Sequence, residues 1–267
     1  MSRLRFTILG CGSSGGVPRI GNIWGECNPE NPLNRRLRCS MLVERISDQG
    51  TTRVLIDTTP DMREQLLRAG VGELDAVVYT HSHADHTHGL DDLRQIAFNM
   101  RRRLPVWADS DTQESLISRF AYAFVQPPDS NYHPICELHA VRTAPFEITG
   151  AGGVIPFQPF KVVHGNIDAQ GYRIGGLAYL PDVSEIPEPM WAHLQGLDCW
   201  VLDALRRKPH PTHAHLALAL EWIERAKART AVLTNMHIDL DHDAVEAETP
   251  AHVRPAHDGL VLEFPAS

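Results

Sequence analysis

The chain has 267 residues, 43% of them hydrophobic and 22% charged, which is ordinary globular composition and enough to bury a real core. Lys and Arg number 25 against 33 Asp and Glu, a formal net charge of −8, which argues against a long nucleic-acid track. No run approaches the ~20 apolar residues that span a bilayer, and the 15 histidines outnumber Tyr and Trp together.

Met-Ser-Arg-Leu-Arg-Phe leads straight into an alternating strand over 3–9, with no apolar h-region, so a cytoplasmic protein is expected. Gly10–Gly16 is Gly/Ser-rich, and 27–38 reads as an irregular loop rich in Asn, Pro and Arg. Strands are predicted at 39–45 and 53–56, then a helix over 60–69 that opens on Pro60 and stops at Gly70. A short apolar strand covers 75–79, and helices follow at 90–101 and 110–119. Residues 126–152 are rich in Pro, Gly and polar groups and read as an insertion or flap. Strands recur at 154–163, 170–174, 177–180 and 199–202, an amphipathic helix at 216–227, and strands at 230–234 and 260–264. Strands and helices alternate with no repeat and no dividing linker, so one layered α/β domain over 1–267 is expected.

The five cysteines are odd in number and widely spaced with no C-x-x-C, which argues against a disulfide scaffold and a four-Cys zinc ribbon. Gly10-Cys11-Gly12-Ser13-Ser14-Gly15 matches the dinucleotide fingerprint by letter. The required helix does not follow, because Gly16-Val17-Pro18-Arg19-Ile20-Gly21 has no helical period. A tight turn that lets backbone approach a site or another strand is the better reading.

The segment that carries chemistry is His81-Ser82-His83-Ala84-Asp85-His86, at the mouth of an apolar strand. Alternation along extended chain points His81 and His83 the same way, and a turn then aims Asp85 and His86 at a second nearby point. One metal cannot easily take all four ligands from so short a loop, whereas two metals can share them. Three later strands also end in ligand types: His164 after 160–163, Asp182 after 177–181, and His237 just beyond 231–234, where Asn235 and His242 compete with it.

H-x-H-x-D-H followed by Gly89-Leu90, with the later His, Asp and His, resembles the metallo-β-lactamase superfamily over essentially the whole chain. The resemblance implies an αββα four-layer sandwich with two metals in a cleft at one edge. The strings 9–18, Trp24-Gly25-Glu26-Cys27, Arg38-Cys39-Ser40, 86–94, His210-Pro211-Thr212-His213 and Asp258-Gly259-Leu260 are similar to the branch of phosphoribosyl cyclic phosphate phosphodiesterases (PhnP-like). Carried over by position, His81, His83 and His164 would hold one metal. Asp85, His86 and the late His, here His237, would hold the other, and Asp182 would bridge them. His213 matches the branch's additional active-site His near the leaving group.

The branch places its late His directly after the strand, where this chain has Asn235. Some members carry a structural zinc on a Cys cluster of which only Cys27 remains, so that ion is not expected. Asp57 and Asp203, closing their strands, are candidates for orienting ligand His. The implied activity is hydrolysis of a small cyclic phosphate ester with two Mn²⁺ or Zn²⁺ ions, and a homodimer is implied too. A membrane partner or nucleic-acid polymer is not expected. The alternatives are a tRNA 3′-processing endonuclease or other hydrolase of the superfamily and, outside enzymes, a metal- or nucleotide-binding module.

Overall fold

The computed structural model describes residues 2–266, which form two compact units. The first comprises residues up to Leu9, Ser40–Pro156 and the chain from Val261. The second comprises Gly10–Cys39 and Phe157–Leu260.

The first unit is built from β1 (Arg3–Gly10), β2 (Ser40–Ser47), β3 (Gly50–Ile56), α1 (Met62–Ala69), β4 (Ala76–Val78), α2 (Ala84–Thr87) and α3 (Leu93–Met100). β5 (Leu104–Ala108), α4 (Ser110–Phe124), β6 (Cys136–Ala140) and β7 (Phe146–Gly150) follow. Strand β8 (Gly153–His164) passes from one unit into the other.

The second unit continues with β9 (Ile167–Ile174), β10 (Leu177–Leu180), β11 (Cys199–Asp203), α5 (Leu216–Ala226), β12 (Thr230–Thr234), α6 (His242–Glu248) and β13 (Val253–Pro255). The last strand, β14 (Val261–Pro265), returns to the first unit.

One seven-stranded sheet has the order β14-β1-β2-β3-β4-β5-β6. β2 and β3 form an antiparallel hairpin in the register Met41↔Ile56, and β3, β4, β5 and β6 run parallel. Parallel neighbours need crossovers, which α1, α3 and α4 supply. Their apolar faces (Met62 and Leu66; Leu93 and Ile96; Leu116 and Phe124) join Leu55, Val77 and Val106 in one buried cluster.

The other sheet has the order β13-β12-β11-β10-β9-β8-β7. β8, β9 and β10 are antiparallel, and β10 to β13 are parallel. Trp200 is fully buried, and the Trp191 ring meets both Trp200 and Trp222 edge-on at 6.3 Å.

The sequence and the structure differ most in 126–152. Proline and glycine at its ends disguise two strands, and β6 reads poorly because its pattern is mixed with Glu137 and His139. Pairing with β5 over Leu104↔Cys136 to Ala108↔Ala140 makes it an edge strand. β5, β13 and α6 were also illegible. Each is short, and β5 and β13 carry Pro, which is tolerated where the neighbouring ladder decides the conformation.

The Gly/Ser loop is the predicted close approach of backbone. Gly12 bridges both Arg38 and Met236, and a Cβ on Gly12 would lie 2.9 Å from the Cβ of Arg36. The buried Arg36 guanidinium donates to the carbonyl of Leu240 at 2.7 Å and to Asn34 Oδ1 at 3.2 Å, and its Nη1 lies 3.9 Å from Cys27 Sγ. This buried cation ties residues 27–34 to the segment after β12.

Candidate functional site

In the first unit the ligand types lie at the carboxyl end of β4. The chain leaves the strand at Tyr79, extends through Thr80–His83 and turns into α2, whose first turn carries Asp85 and His86. The ring of His81 lies 4.7 Å from that of His83 and 4.3 Å from that of His86. His86 Nε2 and Asp85 Oδ2 are 3.5 Å apart. Arg119 of α4 donates to the Ser82 carbonyl at 2.6 Å and pins the middle of the segment. Gly89 donates to the Thr58 carbonyl at 2.9 Å, and a Cβ there would stand 2.0 Å from the Thr59 oxygen. Only glycine lets the motif close against the end of β3.

Asp57, directly after β3, is fully buried in the left-handed region at φ +65°. Its Oδ1 accepts from Thr80 N at 2.8 Å, and its Oδ2 accepts from Thr80 Oγ1 at 2.8 Å and from His86 Nδ1 at 2.8 Å. Burial pushes this carboxyl above the ordinary range, and the His86 and Thr80 contacts pull it back. The donors dictate tautomers. The one hydroxyl proton of Thr80 goes to Asp57, so Thr80 Oγ1 accepts from His81 Nδ1 at 3.0 Å. His81 and His86 therefore both carry their proton on Nδ1 and present a lone pair at Nε2. That is the form a metal requires.

In the second unit the group is assembled from three strand ends and the loop after β11. His164 ends β8 and donates from Nδ1 to the Thr212 carbonyl at 2.6 Å, so Nε2 is the atom that could take a metal. That nitrogen is 3.5 Å from Oδ2 of the buried Asp182, which follows β10. His213 donates from Nδ1 to Asp203 Oδ2 at 2.9 Å, and Asp203 ends β11. Ligand atoms of His164, Asp182 and His213 all lie within 4.8 Å of one another. The Asp203 carboxyl also accepts from Val183 N at 3.1 Å, while its Oδ1 has no donor among the described residues. Burial pushes Asp203 up to about 7; His213 opposes the rise and Asp182 adds to it.

Asn235, where the branch places its late His, is buried at φ +60°. Its side-chain amide donates to the Pro181 carbonyl at 3.0 Å and lies 3.3 Å from His213 Nδ1. His237 falls outside the His164–Asp182–His213 group. Its Nδ1 donates to Asp239 Oδ1 at 3.0 Å and its Nε2 accepts from Arg19. The turn at Asn235 and Met236 thus gives His237 to a protein contact at both nitrogens. His242, on α6, groups with Asp243 and Glu246 instead.

The donor chemistry fits divalent cations. Imidazoles locked with Nδ1 protonated, carboxylates beside them and buried Asp57 behind His86 are the inner and outer partners of a His/Asp metal site. Thr80, Thr212 and Arg119 escaped sequence reasoning. They act through backbone or through a neighbour's tautomer, which no residue pattern encodes. Asn235 was visible as the residue standing in the late-His position.

The model of the family described as "Beta-lactamase superfamily domain" matches residues 52–238. The chain belongs to the metallo-β-lactamase superfamily. Within it the chain falls in the PhnP-like branch. It is 42% identical to a new diphosphatase from the PhnP family known by crystal structure, with a TM-score of 0.87 over 99% of this chain and 98% of that one. It therefore has the metallo-β-lactamase fold. Zn²⁺-bound PqqB from Methylobacterium extorquens shares that fold at 18% identity, with a TM-score of 0.73 over 97% of this chain and 99% of that one. An octanoyltransferase of Porphyromonas gingivalis is 34% identical over 96% of this chain, and the chain spans about half the length (51%) of that relative. Among the described residues no helix is long and apolar enough to cross a membrane.

Proposed function

We propose that the chain is a dinuclear metal-dependent phosphodiesterase acting on a small cyclic phosphate ester, such as a cyclic ribose phosphate or cyclic nucleotide. The observation that carries this reading is the His213–Asp203 pair beside Asp182 and His164. It adds a proton-handling group to a metal-ligand set in a member of this superfamily.

The proposed ligands are His81, His83 and His164 for one cation and Asp85 and His86 for the other, with Asp182 shared. Imidazole and carboxylate donors of this kind accept Mn²⁺ or Zn²⁺. When bound, such a pair supplies positive charge to phosphoryl oxygens and lowers the pKa of water.

The chain's own residues do the rest. Asp57 and the Thr212 carbonyl hold the rings of His86 and His164 at fixed tautomer. Asp203 holds His213 Nδ1, so Nε2 is the atom that gives a proton to the departing alkoxide or hydrogen-bonds a phosphoryl oxygen. A carboxylate behind the ring also stabilises the imidazolium that must exist before the proton is given. Its Asp203 proton affinity, raised to about 7, puts this pair in the range where protons move near neutral pH.

The diphosphatase relative supports a phosphorus-centred reaction, and the acidic net charge disfavours a tRNA substrate. The test is turnover of bis-p-nitrophenyl phosphate by the Mn²⁺-loaded protein, with Asp182→Ala as the decisive variant. Loss of turnover is expected. Full turnover at unchanged metal content would remove Asp182 from its bridging role.

A further inference from the structure

The two cation positions of the reading above are not alike. One has the three imidazoles of His81, His83 and His164 beside the Asp182 carboxylate. The other has a single imidazole, His86, with Asp85 and the same Asp182, and no late His completes it. The His237 ring is committed at both nitrogens, to Asp239 and to Arg19. His242 lies on α6, with its Nδ1 3.3 Å from Asp243 Oδ1. The residue that directly follows β12 is Asn235.

Asn235 is 2% exposed at φ +60°, a left-handed conformation that Asn accepts more readily than most residues with a Cβ. Its neighbours hold it in place: Ala204 N donates to the Thr234 carbonyl at 3.0 Å and Met236 N to the Cys11 carbonyl at 2.9 Å. The turn lays the side chain on Pro181, which directly precedes Asp182. The Pro181 carbonyl can only accept, so the amide nitrogen faces it, at 3.0 Å. The amide oxygen, Oδ1, then has no donor among the described residues. His213 does not supply one, because its Nδ1 proton goes to Asp203 and the amide nitrogen is the atom 3.3 Å from that Nδ1. A buried carbonyl oxygen without a donor is costly unless a positive group meets it.

The chemistry of that oxygen differs from that of the imidazole it replaces. An imidazole nitrogen suits Zn²⁺ and its neighbours in the first transition row, whereas amide and carboxylate oxygens suit Mn²⁺ and Mg²⁺. With Asn235 the second position would carry one nitrogen and three kinds of oxygen donor. The first carries three nitrogens and one carboxylate. Zn²⁺ outcompetes Mn²⁺ at any such site. What the exchange of nitrogen for oxygen changes is the margin.

We propose that Asn235 Oδ1 is a ligand of the second cation and makes that position weaker for Zn²⁺ and more open to Mn²⁺ than the three-His position. This rests on the dinuclear reading and gives its two positions different metal selectivity. The Pro181 carbonyl is the group that aims the amide, and the left-handed turn is what puts the amide there in place of a ring.

The test reads metal binding. Chelator-stripped protein is titrated with Zn²⁺ and, separately, with Mn²⁺ in a chelator competition, and bound metal is counted by elemental analysis. The second Zn²⁺ equivalent should bind at least about tenfold more weakly than the first, with a Zn²⁺-over-Mn²⁺ affinity ratio smaller by about the same factor. Asn235→His, a residue type that also tolerates positive φ, should tighten the second Zn²⁺ at least about tenfold and leave the first within about twofold. Asn235→Asp keeps the oxygen and adds charge, so it should tighten the second Mn²⁺. Asn235→Ala should loosen it at least about tenfold. Thermal unfolding checks that each variant is folded, and the near-isosteric Asn235→Asp decides alone if the others are not. Equal affinity ratios at the two equivalents, or a second equivalent indifferent to substitution in folded protein, would overturn the proposal. If only one equivalent of either metal binds, the dinuclear reading fails by itself. Asn235→His then decides: a gained second equivalent upholds the ligand position, and an unchanged single equivalent overturns it. Absence of ester turnover with these affinities as expected sinks the phosphodiesterase reading alone and upholds the proposal.

Discussion

Each of the two units holds a carboxylate-backed histidine, and the two pairs are built differently. In the first unit Asp57 stands behind His86 with three hydrogen-bond donors on its carboxylate, Thr80 N, Thr80 Oγ1 and His86 Nδ1, and its backbone takes a left-handed turn. In the second unit Asp203 stands behind His213 with one oxygen lacking a donor among the described residues, and burial lifts it to about 7. A well-satisfied carboxylate holds a ring still. A poorly satisfied one in a dry site is ready to exchange its proton. The first pair is suited to keeping a ligand in place and the second to moving a proton, although both are an Asp hydrogen-bonded to Nδ1 of a His.

The largest expected effect tests that division directly. His213→Ala should slow hydrolysis of bis-p-nitrophenyl phosphate by ~10²–10⁴-fold, the usual worth of a positioned acid–base group, with both metals retained by elemental analysis. Loss of a metal would make the two pairs alike. Next, Asp57→Ala should weaken metal binding by ~10–100-fold in a chelator competition, the usual cost of removing a carboxylate behind a ligand His. Retention of wild-type affinity would mean that His86 does not depend on its carboxylate.

A smaller effect is carried by pH. The folded-state proton affinity of Asp203 is raised above the ordinary carboxylate value of ~4 to about 7. Its neutral form therefore favours the folded state fully below ~4, and that contribution is lost as pH rises through about 7. Metal-free protein should lose thermal stability between pH 5 and pH 8, and Asp203→Asn should show a slope shallower by ~2–4 °C. Equal slopes would remove the contrast with Asp57.

The smallest effect concerns the support of the second unit's loops. Asp241 caps α6 through Ala244 N and also accepts from Asn28 N and Asn34 Nδ2 at 3.0 and 2.6 Å. Asp241→Ala should cost about 1 kcal/mol in denaturant unfolding, and more than 3 would mean that the loop over 27–34 is lost with it.

How far the sequence could be read follows the same line between the units. His81, His83, Asp85 and His86 lie within six residues, and alternation plus one turn suffices to cluster them. His164, Asp182, Asp203 and His213 are spread over 50 residues, and each was found because it closes an apolar strand or matches the resembled branch. The late position, after β12, was harder. Counting residues past β12 pointed to His237, whereas the left-handed turn at Asn235 hands that ring to Asp239 and Arg19. Backbone sign at a single residue decides such a matter, and no side-chain pattern records it.

The α/β class, most of the elements, the family and the strand ends that carry His and Asp were determined by the sequence alone, because hydrophobic periodicity and short-range spacing are local properties. The tertiary structure decided which nitrogen of each ring faces the site, how Asp57 and Asp203 differ, that 136–140 and 146–150 are strands, and where Arg19 lies. These depend on hydrogen-bond partners, burial and ladder pairing supplied by residues far away along the chain.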